Sequence, residues 1–246
     1  MRIALLSDIH GNLQALQSCI DDARANGAKR YVFLGDFVGY GADPHGVVDI
    51  IAQYVSQGAL AIRGNHDEAI YGKATYMNEM AMSAIDYARQ VLTPAQTQFL
   101  RDLPMMVREG PCCYVHASAA SPEKYPYIDS PTAALRCAEA SELPYTFCGH
   151  VHEQRLYFGA EGPRMKLFQP TPGVAVPVPA HRRWVALVGS VGQPRDRNPQ
   201  AAYAIFDDER LAIKFCRVPY DHHAAAARIR EVGLPGSIAY RVESGI

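Results

Sequence analysis

Three apolar runs of strand length, Ile3 to Leu6, Tyr31 to Leu34 and Ala59 to Ile62, each end in a polar cluster and are separated by segments long enough for a helix. This β-α-β-α-β order predicts a parallel sheet with both faces covered. The first intervening helix is legible, because Leu13, Leu16 and Ile20 recur at three and four residues and Asn26-Gly27 supplies a C-terminal stop. Glu68 to about Asp102 reads as helical, with Thr93-Pro94 as a break and a new N-cap. Strand-like runs then dominate: Met105 to Arg108, Cys113 to Val115, Tyr145 to Cys148, Gln154 to Phe158, Trp184 to Val188, Ala202 to Phe206 and Leu211 to Cys216. A second sheet packed on the first would place two β layers between helices. Pro170, Pro172, Pro177 and Pro179 mark a loop or an edge strand, since proline removes a ladder donor. Ala224 to Glu231 looks helical and leads to Gly233 and Pro235.

A chain of 246 residues can bury a substantial core, and one domain over residues 1–246 is the default expectation. Hydrophobic residues at 48% and charged residues at 20% fit a globular protein, and a formal net charge of -1 provides no broad basic field for nucleic acid. Any anion site must be local. The N-terminal apolar stretch meets Asp8 at once, too short for a signal peptide or membrane span, so a cytoplasmic protein without a membrane partner is expected. The six cysteines show no CxxC spacing and read as buried reduced thiols.

The chemistry gathers in five clusters, each directly after an apolar strand: Asp8-Ile9-His10, Gly35-Asp36, Gly64-Asn65-His66-Asp67, His116, and Gly149-His150-Val151-His152. Ligands in α/β sheets collect beyond the carboxyl ends of strands, so the five are candidates for one site. Asp8 and His10, like His150 and His152, lie two apart where an extended strand stops, which would point both side chains the same way. Carboxylate with imidazole suits divalent Mn, Fe, Co, Ni or Zn better than Ca or Mg. Each cluster alone also fits a surface turn, a helix cap or a core histidine; five in succession do not arise readily by chance. Asn65 offers a neutral oxygen ligand, while His66 can face a substrate as general acid if Asp67 bonds its other ring nitrogen and favours the protonated ring.

These motifs, in this order from residue 8 to residue 152, resemble those of the calcineurin-like metallophosphoesterase superfamily. Asp36-Phe37-Val38-Gly39-Tyr40-Gly41-Ala42-Asp43-Pro44 and Gly189-Ser190-Val191-Gly192-Gln193-Pro194-Arg195-Asp196 are similar to signatures of its small bacterial and archaeal phosphodiesterase-like branch. The resemblance implies an α/β fold, a four-layer α/β/β/α sandwich with two packed mixed sheets. It implies two divalent transition-metal ions (Mn, Fe, Ni or Zn), one held by Asp8, His10 and His152, the other by Asn65, His116 and His150, with Asp36 bridging. Hydrolysis of a small phosphodiester or nucleotide-like ester by hydroxide, with His66 as acid, would follow. The same core serves phosphomonoesterases and protein phosphatases, and a retromer subunit of similar fold is a non-catalytic scaffold.

Two positions depart from the family pattern. Where protein phosphatases and symmetric diadenosine tetraphosphate hydrolases continue Gly-Asp to a phosphate-gripping Arg, this chain has Phe37-Val38-Gly39-Tyr40, and where His-Gly is common it has His116-Ala117. Arg195 is therefore a candidate phosphate clamp, with a pairing to Asp196 or another carboxylate that holds the loop as the equal alternative. Tyr40, Asp43 and His45 follow the bridging carboxylate and could line the substrate side, although for Asp43 the Asp-Pro pair is better read as a helix cap and first turn. His222 and His223 read as surface residues, and His45 and His181 carry no assignment.

Overall fold

The computed structural model describes residues 1–72, 77–159, 162 and 164–246. Strands β1 (Arg2–Leu6), β2 (Arg30–Phe33) and β3 (Leu60–Ala61) run parallel, joined by α1 (Leu13–Ala25) and α2 (Pro44–Ser56). The sheet continues antiparallel through β11 (Ala201–Asp207), β12 (Ala212–Val218) and the edge strand β9 (Ala175–Pro177), in the order β3-β2-β1-β11-β12-β9. The second sheet has the order β4-β5-β6-β10-β7-β8, from β4 (Met106–Glu109), β5 (Cys112–Val115), β6 (Tyr145–Cys148), β10 (Arg183–Val188), β7 (Gln154–Gly159) and β8 (Lys166–Phe168). In it β5, β6 and β10 are parallel neighbours.

Alternation along β1 shows why its sequence is almost wholly apolar. Ile3 and Leu5 face the second sheet, packing with Val32, Tyr114, Phe147 and Phe206, while Ala4 and Leu6 face the helices with Leu16, Val47 and Ile51. The far face of the second sheet, including Cys113, Val115 and Leu187, is covered by Ala134, Cys137 and Ala138 of α6 (Pro131–Ser141). The layers are thus α/β/β/α, two mixed sheets between helices, as the resemblance implied. Each large side chain buried between the sheets contributes about 1.5–3 kcal/mol, and together they hold the strand ends of one sheet against those of the other.

The long helical segment divides into α3 (Asn65–Tyr71), α4 (Glu79–Val91) and α5 (Pro94–Asp102), the last capped by Thr93 and Gln96 in a reciprocal box. Two helices lie where no pattern announced them. The inner face of α6 carries only small residues, so it shows no strong apolar period, although Ser130 caps it and Pro131 opens it. After α7 (His222–Glu231), Pro235 is the N-cap position of α8 (Gly236–Ser244) rather than the end of regular structure. The proline-rich stretch contains the edge strand β9, and β8 is an exposed edge. All six cysteines are buried and free, and no described helix is long and apolar enough to cross a membrane.

Candidate metal centre

Six parallel strands, three from each sheet, deliver the site. Asp8 and His10 follow β1, Asp36 follows β2, Asn65 and His66 open α3 after β3, His116 follows β5, His150 and His152 follow β6, and Arg195 lies in the loop after β10. Backbone bonds brace these loops across the sheets: Val191 and Gly192 N–H donate to Ser7 and Asp8 carbonyls at 2.9 Å, and Gly149 N–H donates to the His116 carbonyl at 2.8 Å.

The extended-strand picture of the Asp-x-His and His-x-His pairs needs correction. Asp8 (φ 53°), His10 (φ 49°), Asp36 (φ 55°), His150 (φ 66°) and His152 (φ 64°) all occupy the left-handed region. Asp and His visit it more readily than most residues, yet such conformations cost on the order of 1–3 kcal/mol each and cluster where function fixes them. Two glycines permit the close approach these turns need. A Cβ on Gly64 would overlap Asp36 Oδ1, and one on Gly149 would overlap Ser7 Oγ and Asp8 Oδ2.

The ring nitrogens point in a defined sense. His10 Nδ1 donates to the Val38 carbonyl (3.1 Å), His116 Nδ1 to the Leu34 carbonyl (2.7 Å) and His152 Nδ1 to the Gln193 carbonyl (2.6 Å). A carbonyl only accepts, so each neutral ring turns a bare Nε2 inward. Burial holds His10 well below the ordinary histidine range, and burial with the Arg195 charge lowers His152, in keeping with bare nitrogens. His10 Nε2 and His152 Nε2 then face each other at 3.1 Å. Two lone pairs in that position call for a cation between or beside them. His116 Nε2 lies 3.3 Å from Asp36 Oδ2 without the direction of a hydrogen bond, so this buried nitrogen has no hydrogen-bond partner. Against the pull of burial, Asp36 and Asp8 raise His116 to about 9, so a proton supplies positive charge there when no metal does.

Among the described residues, three groups bring ligand atoms within 4.8 Å of one another: Asp8, His10 and His152; His10, Asp36 and His66; and Asp36, His116 and His150. Asp36 belongs to two of them. Burial pushes the Asp8 and Asp36 carboxyls up, but positive charge on the neighbouring rings, His152 foremost for Asp8 and His116 for Asp36, holds both below the ordinary carboxylate range whenever those rings are protonated. Both oxygens of Asp8 also accept from the His150 N–H, at 2.9 and 3.1 Å. Buried imidazoles and carboxylates without a thiolate fit a divalent metal ion. Asn65, also buried, borders the same cavity as His66 and His150.

Asp67 does something other than expected. Its carboxyl accepts N–H bonds from Asp36 (2.8 Å), Phe37 (2.8 Å) and Gly64 (2.9 Å), while His66 Nδ1 has no hydrogen-bond partner and rests against Gly39. Asp67 therefore ties the Gly-Asp turn to the start of α3 and does not orient the His66 ring. Burial lowers His66 to about 4, against the opposing pull of Asp36. Asp67→Ala is expected to leave three buried amides unpaired and to destabilise the fold by about 3 kcal/mol or more. A urea midpoint close to that of the unsubstituted protein would contradict this role.

Arg195 is half-buried, with its guanidinium carbon 5.9 Å from the Tyr40 ring centroid. Its Nη2 donates to Gln193 Oε1 (3.2 Å), and its buried Nε has no partner. Asp196 pairs instead with Arg217 of β12. Tyr40 packs its ring 4.8 Å from both His10 and His66. Asp43 occupies the N-cap position of α2 but makes no cap bond with its side chain, which accepts from Arg228 at 3.3 Å. His45 bonds Gln96 and Asp49 away from the centre, and His181 and His223 are exposed. Tyr125 and Tyr127, which the sequence reading did not single out, border a cavity of about 640 Å³ beside His66, Asn65 and His150. A Tyr-Pro-Tyr run in the loop after the lone histidine was the available signal.

The family described as calcineurin-like phosphoesterase matches residues 1–154. The chain belongs to that family. Among solved structures, this phosphoesterase is similar to a metallophosphoesterase of Sphaerobacter thermophilus, with a TM-score of 0.88, 32% identity and 100% of both chains covered. A hypothetical protein of Pyrococcus horikoshii shares the fold, with a TM-score of 0.78 at 22% identity over 100% of this chain and 98% of that one. An uncharacterized protein of Methanocaldococcus jannaschii is 31% identical over 99% of this phosphoesterase and 98% of its own length. The family uses divalent metal ions and acts on small phosphoester substrates, and the Asp and His groups of this phosphoesterase are able to hold such ions.

Proposed function

We propose that the chain, folding as one domain over residues 1–246, is a cytoplasmic phosphodiesterase that works with two divalent ions of the Mn, Fe, Ni or Zn type. Asp8, His10 and His152 would hold one ion and Asn65, His116 and His150 the other, with Asp36 available to both. The observation that carries this reading is the position of Asp36 in two ligand groups at once, with the inward-facing Nε2 atoms of His10 and His116 on either side. When bound, such ions supply a water acidic enough to ionise near neutral pH and positive charge against phosphate oxygens.

The chain's own residues do the rest. His66, at the wall of the cavity, gives a proton to the departing oxygen. Its ring is neutral in the free protein, and an anionic phosphate alongside favours the imidazolium, so the proton is taken up with the substrate. Arg195, with an unpartnered Nε and no carboxylate partner among the described residues, places a guanidinium against the phosphate on the Tyr40 side. The cavity of about 640 Å³ beside His66 accommodates a sizeable leaving group, which favours a diester over a small monoester.

Turnover of bis(4-nitrophenyl) phosphate and 4-nitrophenyl phosphate by protein loaded in turn with Mn, Ni, Zn and Fe tests this function. Diester turnover exceeding monoester turnover by about tenfold or more is expected. The reverse order would assign a phosphomonoesterase, and stoichiometric metal with no turnover of either ester would favour a scaffold.

A further inference from the structure

The Tyr127 ring lies flat on the His150 ring, with centroids 4.2 Å apart and planes at 28°, yet the residue remains 55% exposed. One face of the ring is used and the other is open. The ring is not loosely held: Ile128, the next residue, is buried under the second sheet, and two residues earlier the Tyr125 hydroxyl donates to Glu68 Oε2 at 2.7 Å. Tyr127 borders the cavity that reaches His66, together with Tyr40, Tyr125 and Met77. An exposed aromatic side chain fixed beside a reacting centre is a stacking surface, and its two side-chain torsions leave little entropy to lose on binding.

We propose that this cavity takes a planar aromatic base attached to the phosphoester, stacked on the open face of Tyr127, so that the substrate is a nucleotide or a nucleoside diester. The assignment rests on the phosphodiesterase reading of the same centre and adds the chemical class of the group that enters beside His66. The phosphate is held at the Asp and His cluster, and the base extends along the aromatic wall. Sugar, glycerol or other aliphatic esters would gain nothing from that wall beyond apolar contact.

Calorimetric titration of the manganese-loaded protein with adenosine 5′-monophosphate and with ribose 5-phosphate separates the two classes, because the ligands share a phosphate and a sugar and differ in the base. The nucleotide should bind about tenfold or more tightly than the sugar phosphate. In Tyr127→Ala this ratio should fall to about twofold or less, and Tyr127→Phe should restore it. Equal affinities in the unsubstituted protein, binding of neither ligand, or an unchanged ratio in Tyr127→Ala would overturn the proposal. A fall shared equally by both ligands leaves the ratio unchanged and so also counts against it. Since binding rather than turnover is read, absence of diesterase activity would reject the catalytic reading without deciding this result.

Discussion

His66→Ala is expected to slow hydrolysis of a phosphodiester with an alkoxide leaving group by about 10²–10⁴-fold, and to slow release of 4-nitrophenolate by less than about tenfold. An alkoxide is too basic to depart without a proton, whereas nitrophenolate leaves readily as an anion. The contrast between two substrates separates proton donation from binding. His66 also shares a ligand group with His10 and Asp36, so a purely metal-binding role is physically available to it. In that case both substrates would slow equally. Steady-state rates on a methyl ester and a 4-nitrophenyl ester of the same phosphate, with metal content measured in each preparation, distinguish the outcomes.

Asp36→Asn should have an effect of similar size, by a different route. Asp36 Oδ1 accepts the His66 N–H at 2.8 Å, and Oδ2 faces His116 at 3.3 Å and His10 at 3.8 Å. An amide keeps the shape but removes the charge that the two proposed metal positions would share, and it turns an N–H₂ donor or a weaker acceptor toward them. Turnover is expected to fall by about a thousandfold, which corresponds to about 4 kcal/mol of barrier, and metal content to fall from two ions to one or none. Retention of two ions with near-normal turnover would show that Asp36 is not the shared ligand.

The site was legible because its residues follow apolar strands, and strands announce themselves by composition. Asp8, Asp36, His116 and His150 could be placed together once the runs before them were taken as parallel strands with a common exit. The layer order came from the family resemblance, and the two groups of strand-like runs only permitted it; β1 is apolar throughout, so the division of its residues between the inter-sheet core and the helix layer shows only in the structure. What the chain did not reveal depends on contacts between distant residues. Whether Asp67 turns to the His66 ring or to backbone amides is decided by the left-handed turn at Asp36, which brings the Asp36 and Phe37 N–H groups to a carboxyl that already takes the N–H of Gly64. The freedom of Arg195 is decided by Arg217, in a later strand, which takes Asp196. Helix α6 passed unread because Ala134, Cys137 and Ala138 bury a face too small to stand out, and Tyr127 because its Tyr-Pro-Tyr run marks a loop without saying that the ring stacks on His150.

The central claim, that seven residues hold two ions about a shared Asp36, is tested most directly by anomalous diffraction from crystals grown with manganese. Two peaks about 3.5–4 Å apart are expected. One should lie at Asp8, His10 and His152, the other at Asn65, His116 and His150, with Asp36 touching both. A single peak, or two that do not share Asp36, would contradict the account.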